Sequence, residues 1–122
     1  MKVLIVFCHP SKTSFNYNLF ESIYKSLAEN GHEIETSDLY SMGFDPALSS
    51  EEIYDNKSPQ MIKEEQRKVQ DSEVIFIIFP VWWWLPPAML KGWLERVFIK
   101  DFAFSYSREE YRNIGTLEAE KL

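Results

Sequence analysis

The amino-acid sequence predicts an α/β fold with a doubly wound parallel sheet in three layers, with helices on both faces. Three strand-like runs, KVLIVF, HEIETSDL and EVIFIIFP, alternate with segments whose apolar residues recur at helical spacing. The first and third runs are continuously apolar, which is typical of strands buried on both faces of a parallel sheet. A strand, a helix and a second strand in this order predict a right-handed crossover between parallel neighbours.

Capping and turn residues mark the ends of the first predicted helix. Thr13 or Ser14 can cap its N-terminus, and Asn30-Gly31 ends it. The strand-like run that follows alternates between apolar and polar residues, which predicts a partly exposed strand. The predicted apolar face of the helix consists of Leu19, Phe20, Ile23 and Leu27.

The middle of the chain predicts two further helices. Residues 41–58 form an excursion with one helical turn, and Ser58-Pro59 opens a helix, since proline is tolerated in a first turn. Another helix begins near Pro87, after the third strand. The residues that fall on one face are, in the first of these helices, Ile62, Gln66 and Val69, and in the second, Leu90, Trp93, Leu94 and Val97.

Composition predicts a globular protein of a reducing compartment. The 122 residues are enough for one domain with a hydrophobic core, and 45% of them are apolar. The net charge of -6 argues against binding to nucleic acid and to anionic membranes, which attract basic surfaces. A single cysteine excludes an internal disulfide, and no apolar run reaches the roughly 20 residues of a spanning helix. We expect a cytoplasmic protein with no integral membrane segment.

A polar loop, CHPSKTSFN, follows the first predicted strand. A loop that enters a helix N-terminus offers free backbone N–H groups and the positive end of the helix dipole, a combination that binds phosphate. Ser11, Thr13 and Ser14 add hydroxyl groups and His9 adds an imidazole, but no glycine matches a dinucleotide fingerprint or a P-loop. Two interpretations stay open: a phosphate site, or a helix cap beside a loop histidine. Lys12 is either a phosphate counter-charge or a solvated lysine.

An aromatic segment, PVWWWLPP, follows the third predicted strand. In a flavodoxin-like strand order the first strand lies between the second and third, so this segment and the polar loop lie side by side at the switch point. Aromatic residues there can form the wall for a flat conjugated ligand, or they can pack under helices or form a dimer contact. A phosphate site beside a planar-ring site indicates a flavin or a similar nucleotide.

The other chemically notable residues are interpreted as structural. Cys8 has no identifiable base partner and is expected to be a small buried core residue. His32 is expected at the surface, and no spacing of ligand residues suggests a metal site. Four acids are interpreted as parts of solvated helix faces: Glu51, Glu52, Glu64 and Glu65.

Three segments carry a family resemblance: HPSKTSFNYNL after the first strand, SDLYSMGFDPALS after the second and FPVWWWLPPAMLKGWLERVF after the third. Together with DFAFSY further on, they resemble the NAD(P)H:quinone oxidoreductases of the DT-diaphorase type. These form a family with the bacterial drug-activity modulators and the potassium-efflux ancillary oxidoreductases. The resemblance covers nearly the whole chain in order, and it implies a flavodoxin-like fold with strand order 2-1-3.

The resemblance implies a flavin cofactor, FAD favoured over FMN, with NAD(P)H as the electron donor. In the family, the loop after the first strand holds the flavin phosphates, which here implies His9, Thr13, Ser14, Phe15 and Asn16. The loop after the third strand runs along the flavin ring, which here implies Pro80, Val81, Trp82, Trp83 and Trp84. The family often has a polar residue, commonly glutamine, at the position of Trp82.

The resemblance also implies a homodimer whose active sites are shared between chains. Aromatic residues at the positions of Phe104 and Tyr106 then line the partner's substrate pocket. The implied reaction passes a hydride from NAD(P)H through the flavin to a quinone-like acceptor. No catalytic residue is assigned, because the family's tyrosine and histidine at that step lie beyond the end of this chain.

The chain is shorter than the family domain. We expect one flavodoxin-like domain over residues 1–122 that is incomplete at its C-terminus, with about three parallel strands and the third strand at an edge. Two hypotheses follow. The chain is a flavin-dependent NAD(P)H oxidoreductase, or it is a catalytically inactive truncated relative that acts as a self-associating or partner-binding module.

Overall fold

The computed structural model describes residues 1–105, which form a three-stranded parallel sheet flanked by helices. The predicted α/β class is confirmed, and every predicted helix and strand is present. The elements in chain order are β1 Lys2–Phe7, α1 Phe15–Glu29, β2 Glu33–Asp38, α2 Ser50–Tyr54, α3 Gln60–Asp71, β3 Val74–Ile78 and α4 Ala88–Val97.

The sheet has the predicted order β2-β1-β3, and β1 pairs in parallel with both neighbours. Alternate residues of the central strand face opposite layers. Leu4, Val6 and Cys8 belong to one buried cluster, which includes residues of α3 and α4. Val3, Ile5 and Phe7 belong to the other, against which α1 packs. The result is the predicted three-layer arrangement.

The strand β3 lies at an edge of the sheet within the described residues, since its pairing is with β1. Ile77 is exposed and Ile78 is buried, while Val74, Ile75 and Phe76 are half-buried. The apolar run is therefore less deeply buried in residues 1–105 than a continuously apolar strand predicts.

One position of the predicted apolar face of α1 is wrong. Leu19 is 40% exposed, whereas Phe20, Ile23 and Leu27 pack against the sheet. Tyr17 takes the remaining place on this face, three residues before Phe20, with its ring edge-on to that of Phe7. A helix turns about 100° per residue, so Leu19 falls beside the stripe that these residues form.

The interpretation of Glu65 as a solvated acid is wrong, because its side chain is only 1% exposed. Its carboxylate accepts hydrogen bonds from Ser37 Oγ at 2.6 Å and from Trp93 Nε1 at 3.0 Å. Lys68 Nζ completes the set at 2.8 Å from the other carboxylate oxygen. A buried charge persists when it is paired and hydrogen-bonded, and this one ties β2, α3 and α4 together.

Glu52 is also buried, contrary to the sequence-based interpretation. Arg96 Nε donates to its carboxylate at 3.0 Å, and the Arg96 guanidinium also donates to Asp45 O at 2.6 Å. Burial raises the pKa of Glu52, but the hydrogen bonds from Arg96 and Ser49 outweigh it and hold the pKa below the ordinary value of 4.5. The pair fastens Asp45 and α2, both within the excursion of residues 41–58, to α4.

The helices between residues 1 and 105 include none that is long and apolar enough to cross a membrane.

Candidate functional site

The polar loop and the aromatic segment lie side by side at the carboxyl edge of the sheet. Cys8 N donates to Ile78 O at 2.9 Å, which continues the pairing of β1 and β3 beyond the strand ends. The rings of His9 and Trp82 then meet edge to face, with centroids 5.8 Å apart. The predicted juxtaposition of the two segments is confirmed.

Side-chain hydrogen bonds shape the first loop, residues 9–14. Ser14, and not Thr13, is the N-cap of α1, because its Oγ accepts from Tyr17 N at 3.1 Å. The same hydroxyl donates to Ser11 O at 2.8 Å. Ser11 Oγ lies 2.9 Å from Thr13 Oγ1 and accepts from Thr13 N at 3.2 Å. These contacts fold the loop tightly over the start of the helix.

His9 has a defined tautomer in this loop. Its Nδ1 accepts a hydrogen bond from Ser11 N at 2.9 Å, so the neutral ring carries its proton on Nε2. The ring is half-buried between the loop and Trp82. His9 therefore offers a ring N–H donor at the junction of the two segments.

The N-terminus of α1 has unused hydrogen-bond donors. Within residues 1–105, no acceptor contacts the backbone N–H of Phe15 or Asn16. The first turn of α1 also carries no acidic side chain to neutralise the positive end of the helix dipole. Free amides and an uncompensated dipole are the properties that let a helix N-terminus accept a phosphate.

Residues 82–85 form the tryptophan turn. Trp82 N donates to Leu85 O at 2.9 Å and Leu85 N donates to Trp82 O at 3.0 Å, while φ is 48° at Trp83 and 63° at Trp84. Two left-handed residues in succession define a tight hairpin turn that favours glycine or asparagine. Each left-handed tryptophan costs roughly 1–2 kcal/mol of backbone strain.

The three tryptophans have different surroundings. Trp82 is half-buried and packs against His9. Trp83 is 84% exposed and Trp84 is 91% exposed, so both rings project from the tip of the turn. Together with Val81 they line an open cavity of about 450 Å³. This apolar surface is wide open to solvent.

Backbone donors accompany this aromatic surface. Between residues 1 and 105, no acceptor contacts the N–H of Trp83 or Trp84. The turn thus presents two amides next to exposed rings, an arrangement suited to a flat ligand with hydrogen-bond acceptors along one edge. Pro80, which precedes the turn, is half-buried.

Cys8 is buried at the end of β1, as expected. Burial raises the pKa of its thiol to about 11, with a further increase from the charge of Asp38 that a hydrogen bond at Leu90 opposes in part. A thiol with this pKa stays protonated near neutral pH and is a poor nucleophile. The interpretation of Cys8 as a core residue is confirmed.

One of the two predicted pocket residues, Phe104, lies within residues 1–105. Phe104 is exposed, and its carbonyl accepts from Asp101 N at 2.7 Å. Tyr106 lies outside the described residues. Within residues 1–105, no group of three or more His, Cys, Asp and Glu side chains is arranged to hold a metal ion.

Sequence reasoning missed Asp38, the last residue of β2. Asp38 is in register with Phe7, so its carboxylate lies at the same edge of the sheet as the first loop. Lys12 Nζ is 3.4 Å from Asp38 Oδ2. The available signal was the position of Asp38 at the carboxyl end of a predicted strand, next to the switch point.

All 122 residues match the family described as having a flavodoxin-like fold, and the chain belongs to that family. The NAD(P)H dehydrogenase (quinone) 1 of Cavia porcellus is 37% identical over 87% of this chain and 46% of its own length. The ribosyldihydronicotinamide dehydrogenase (quinone) of Mus musculus is 37% identical over 84% of this chain and 53% of its own length. The resemblance to NAD(P)H:quinone oxidoreductases is therefore confirmed.

A solved NAD(P)H:quinone oxidoreductase, from Methanothermobacter marburgensis, has the same fold with a TM-score of 0.80 and 30% identity. The match covers 98% of this chain and 72% of that one, so it includes both segments of the candidate site. The chain spans about half the length of the two curated relatives, 46% and 53%.

Proposed function

We propose that this protein is a flavin-dependent NAD(P)H oxidoreductase that passes a hydride from NAD(P)H to a quinone-like acceptor. The observation that carries the proposal is the contact of His9 with Trp82, which joins an anion-accepting helix N-terminus to an aromatic wall. A flavin nucleotide has the same two parts, a phosphate and a flat conjugated ring. The names of the relatives that match this chain, NAD(P)H dehydrogenases of quinones, support the same reaction.

The residues of the first loop fit the phosphate end of such a cofactor. The free N–H groups of Phe15 and Asn16 would donate to phosphate oxygens at the positive end of the α1 dipole. The Nε2–H of His9 adds a donor whose direction is fixed by the bond from Ser11 to Nδ1. Thr13 is exposed beside them, and Ser14 holds the helix end in place through its cap.

The tryptophan turn fits the ring end. Trp83 and Trp84 would cover one side of the flavin with their rings, and their free amides would donate to acceptors on the ring edge. Trp82 would act indirectly, since its own ring is packed against His9. When bound, the flavin supplies the hydride chemistry between NAD(P)H and the acceptor, while the protein orients the rings.

Dimerisation and the choice of cofactor are finer parts of the proposal. We favour FAD over FMN and a homodimer in which Phe104 and Tyr106 of one chain line the substrate pocket of the other. The cytoplasmic location also stays a prediction. The alternative of an inactive partner-binding module has less support. The relatives that match this chain have oxidoreductase names, and the matched region of the solved structure includes both segments of the candidate site.

Two measurements test the proposal. Titration of FAD or FMN with the protein should quench flavin fluorescence at micromolar concentrations of protein, and the complex should be yellow. The complex should then oxidise NADH or NADPH only when a water-soluble quinone is present. If neither flavin binds, the proposed function is wrong. Flavin binding without NAD(P)H oxidation would favour the inactive relative.

A further inference from the structure

A carboxylate stands beside the proposed phosphate site. Asp38 ends β2 next to the end of β1, and its side chain is 22% exposed. Ser41 N donates to Asp38 Oδ1 at 3.2 Å, and Ser41 Oγ donates to Asp38 Oδ2 at 2.9 Å. These two bonds fix the carboxylate at the edge of the sheet where the first loop begins.

Lys12, from the first loop, is held against this carboxylate. Its Nζ lies 3.4 Å from Asp38 Oδ2 and 5.6 Å from the centroid of the Tyr17 ring. The Tyr17 ring is itself fixed against Phe7 and Phe20 in the core. Charge pairing and a cation–π contact thus act on the same ammonium group, although the side chain is largely exposed.

The charges around the helix N-terminus explain why this pairing matters. The first turn of α1 has no acidic residue, so Asp38 is a negative charge brought to the loop by another strand. A carboxylate near an anion site repels the incoming anion, and a cation held on that carboxylate cancels much of the repulsion. The pair of Lys12 and Asp38 is close to neutral as a unit.

We propose that Lys12 acts through Asp38 as a positioning residue that makes the first loop selective for a phosphorylated flavin over its unphosphorylated form. This inference rests on the proposed function and deepens it. Lys12 neutralises the Asp38 carboxylate, and the backbone amides of α1 bind the phosphate. The sequence leaves Lys12 as either a phosphate counter-charge or a solvated lysine. We infer a third role, in which its partner is the carboxylate of Asp38.

The test compares FMN with riboflavin, which share a ring system and differ in the phosphate. Dissociation constants are measured by flavin fluorescence quenching for the unmodified protein, Lys12→Met, Lys12→Arg, Asp38→Asn and the double variant Lys12→Met/Asp38→Asn. Lys25→Met is the matched control, because Lys25 is an exposed lysine on α1 whose carboxylate partner, Glu29, is also exposed. Salt titrations of FMN binding accompany each variant.

Lys12→Met should weaken FMN binding roughly fivefold, the scale of an exposed charge interaction, and leave riboflavin binding unchanged. Lys12→Arg should restore most of the FMN affinity, and Lys25→Met should have no effect. The double variant should bind FMN nearly as well as the unmodified protein, because the repelling carboxylate is gone. That recovery separates neutralisation of Asp38 from direct contact between Lys12 and the phosphate.

Three outcomes overturn the inference. The first is a double variant that binds FMN as weakly as Lys12→Met, which means that Lys12 touches the phosphate itself. The second is an equal loss of riboflavin affinity in Lys12→Met, which means that the substitution disturbs the site as a whole. The third is an FMN affinity that does not change in Lys12→Met. That result refutes the role of the pair of Lys12 and Asp38 but not the proposed function. Failure of the unmodified protein to bind either ligand refutes the proposed function as well.

Discussion

Replacing Trp84 by glycine should stabilise the fold while it impairs the site. Trp84 is 91% exposed, so its side chain contributes little burial, and its φ of 63° is a conformation that disfavours tryptophan. Left-handed backbone costs a non-glycine residue roughly 1–2 kcal/mol, and glycine adopts it freely. The greater freedom of glycine in the unfolded chain offsets part of this gain. We expect Trp84→Gly to raise the free energy of unfolding by about 0.5–1 kcal/mol.

Urea unfolding followed by far-UV circular dichroism measures this change, since loss of a tryptophan alters the fluorescence signal itself. Tyr54→Gly is the matched control. Tyr54 is 82% exposed, but its backbone belongs to the helix α2, so glycine relieves no strain there and only adds conformational freedom to the unfolded chain. The two aromatic-to-glycine substitutions should therefore shift stability in opposite directions.

The same Trp84 variant has a second readout in flavin titration. If Trp84 covers one side of the flavin, its loss should weaken flavin binding while the protein becomes harder to unfold. A variant that unfolds at lower urea than the unmodified protein would refute the strain argument. Unchanged flavin affinity would show that Trp84 does not contact the flavin.

Three further predictions concern the site, the excursion and pH. Trp83→Ala should weaken flavin binding with little effect on unfolding, whereas Trp93→Ala should cost about 3–5 kcal/mol of stability. If Trp93→Ala folds but loses flavin while Trp83→Ala keeps it, the assignment of Trp83 to the flavin-binding surface is wrong. Gly92→Ala should destabilise the fold by roughly 1–3 kcal/mol in urea unfolding, because the added Cβ overlaps Pro46; an unchanged midpoint would show that the excursion can shift. Stability should fall as the pH drops below 4.5, since the lowered pKa of Glu52 makes the unfolded chain take up its proton first; Glu52→Gln should flatten that part of the pH profile of urea unfolding.

Local patterns predict the strands and helices, and the flavodoxin-like strand order then places the two candidate segments side by side. The alternation of strand-like and helical runs predicts the α/β class and parallel crossovers, whereas the order β2-β1-β3 was implied by the resemblance to a flavodoxin-like family. The cap at Ser14 and the proline before α3 are local signals within a few residues of the helix ends. The meeting of His9 with Trp82 follows from the same topology, since both segments leave the carboxyl ends of adjacent strands.

The buried acids could not be predicted this way, because their partners are distant in the chain. Glu65 meets Ser37 and Trp93, each 28 residues away, and Glu52 meets Arg96 across 44 residues. On a helical wheel these acids resemble any solvated pair of glutamates. Their burial is decided by tertiary contacts, which helical periodicity does not encode.

The conformation of the tryptophan turn also could not be predicted from the sequence. Successive left-handed residues are normally signalled by glycine, asparagine or aspartate, and the turn contains none of these. Trp83 and Trp84 adopt this conformation in spite of their side chains, and pairing of Trp82 with Leu85 holds them there. A local rule broken without a gain in packing is a feature expected of a functional site.

Strain and stabilisation lie in different parts of the fold. The two buried acid networks fasten β2, α2 and α3 to α4, whereas the strained turn and the free amides of α1 lie at the carboxyl edge of the sheet. A turn that presents Trp83 and Trp84 to solvent contributes little to the core, so its cost must be offset by contacts made elsewhere. The ion pair of Glu52 with Arg96 lies near the end of α4, and Pro46 packs closely on Gly92 in the middle of the same helix. The buried acid networks therefore hold α4 through Trp93 and Arg96, in its second half, whereas the strained turn lies three residues before its first residue.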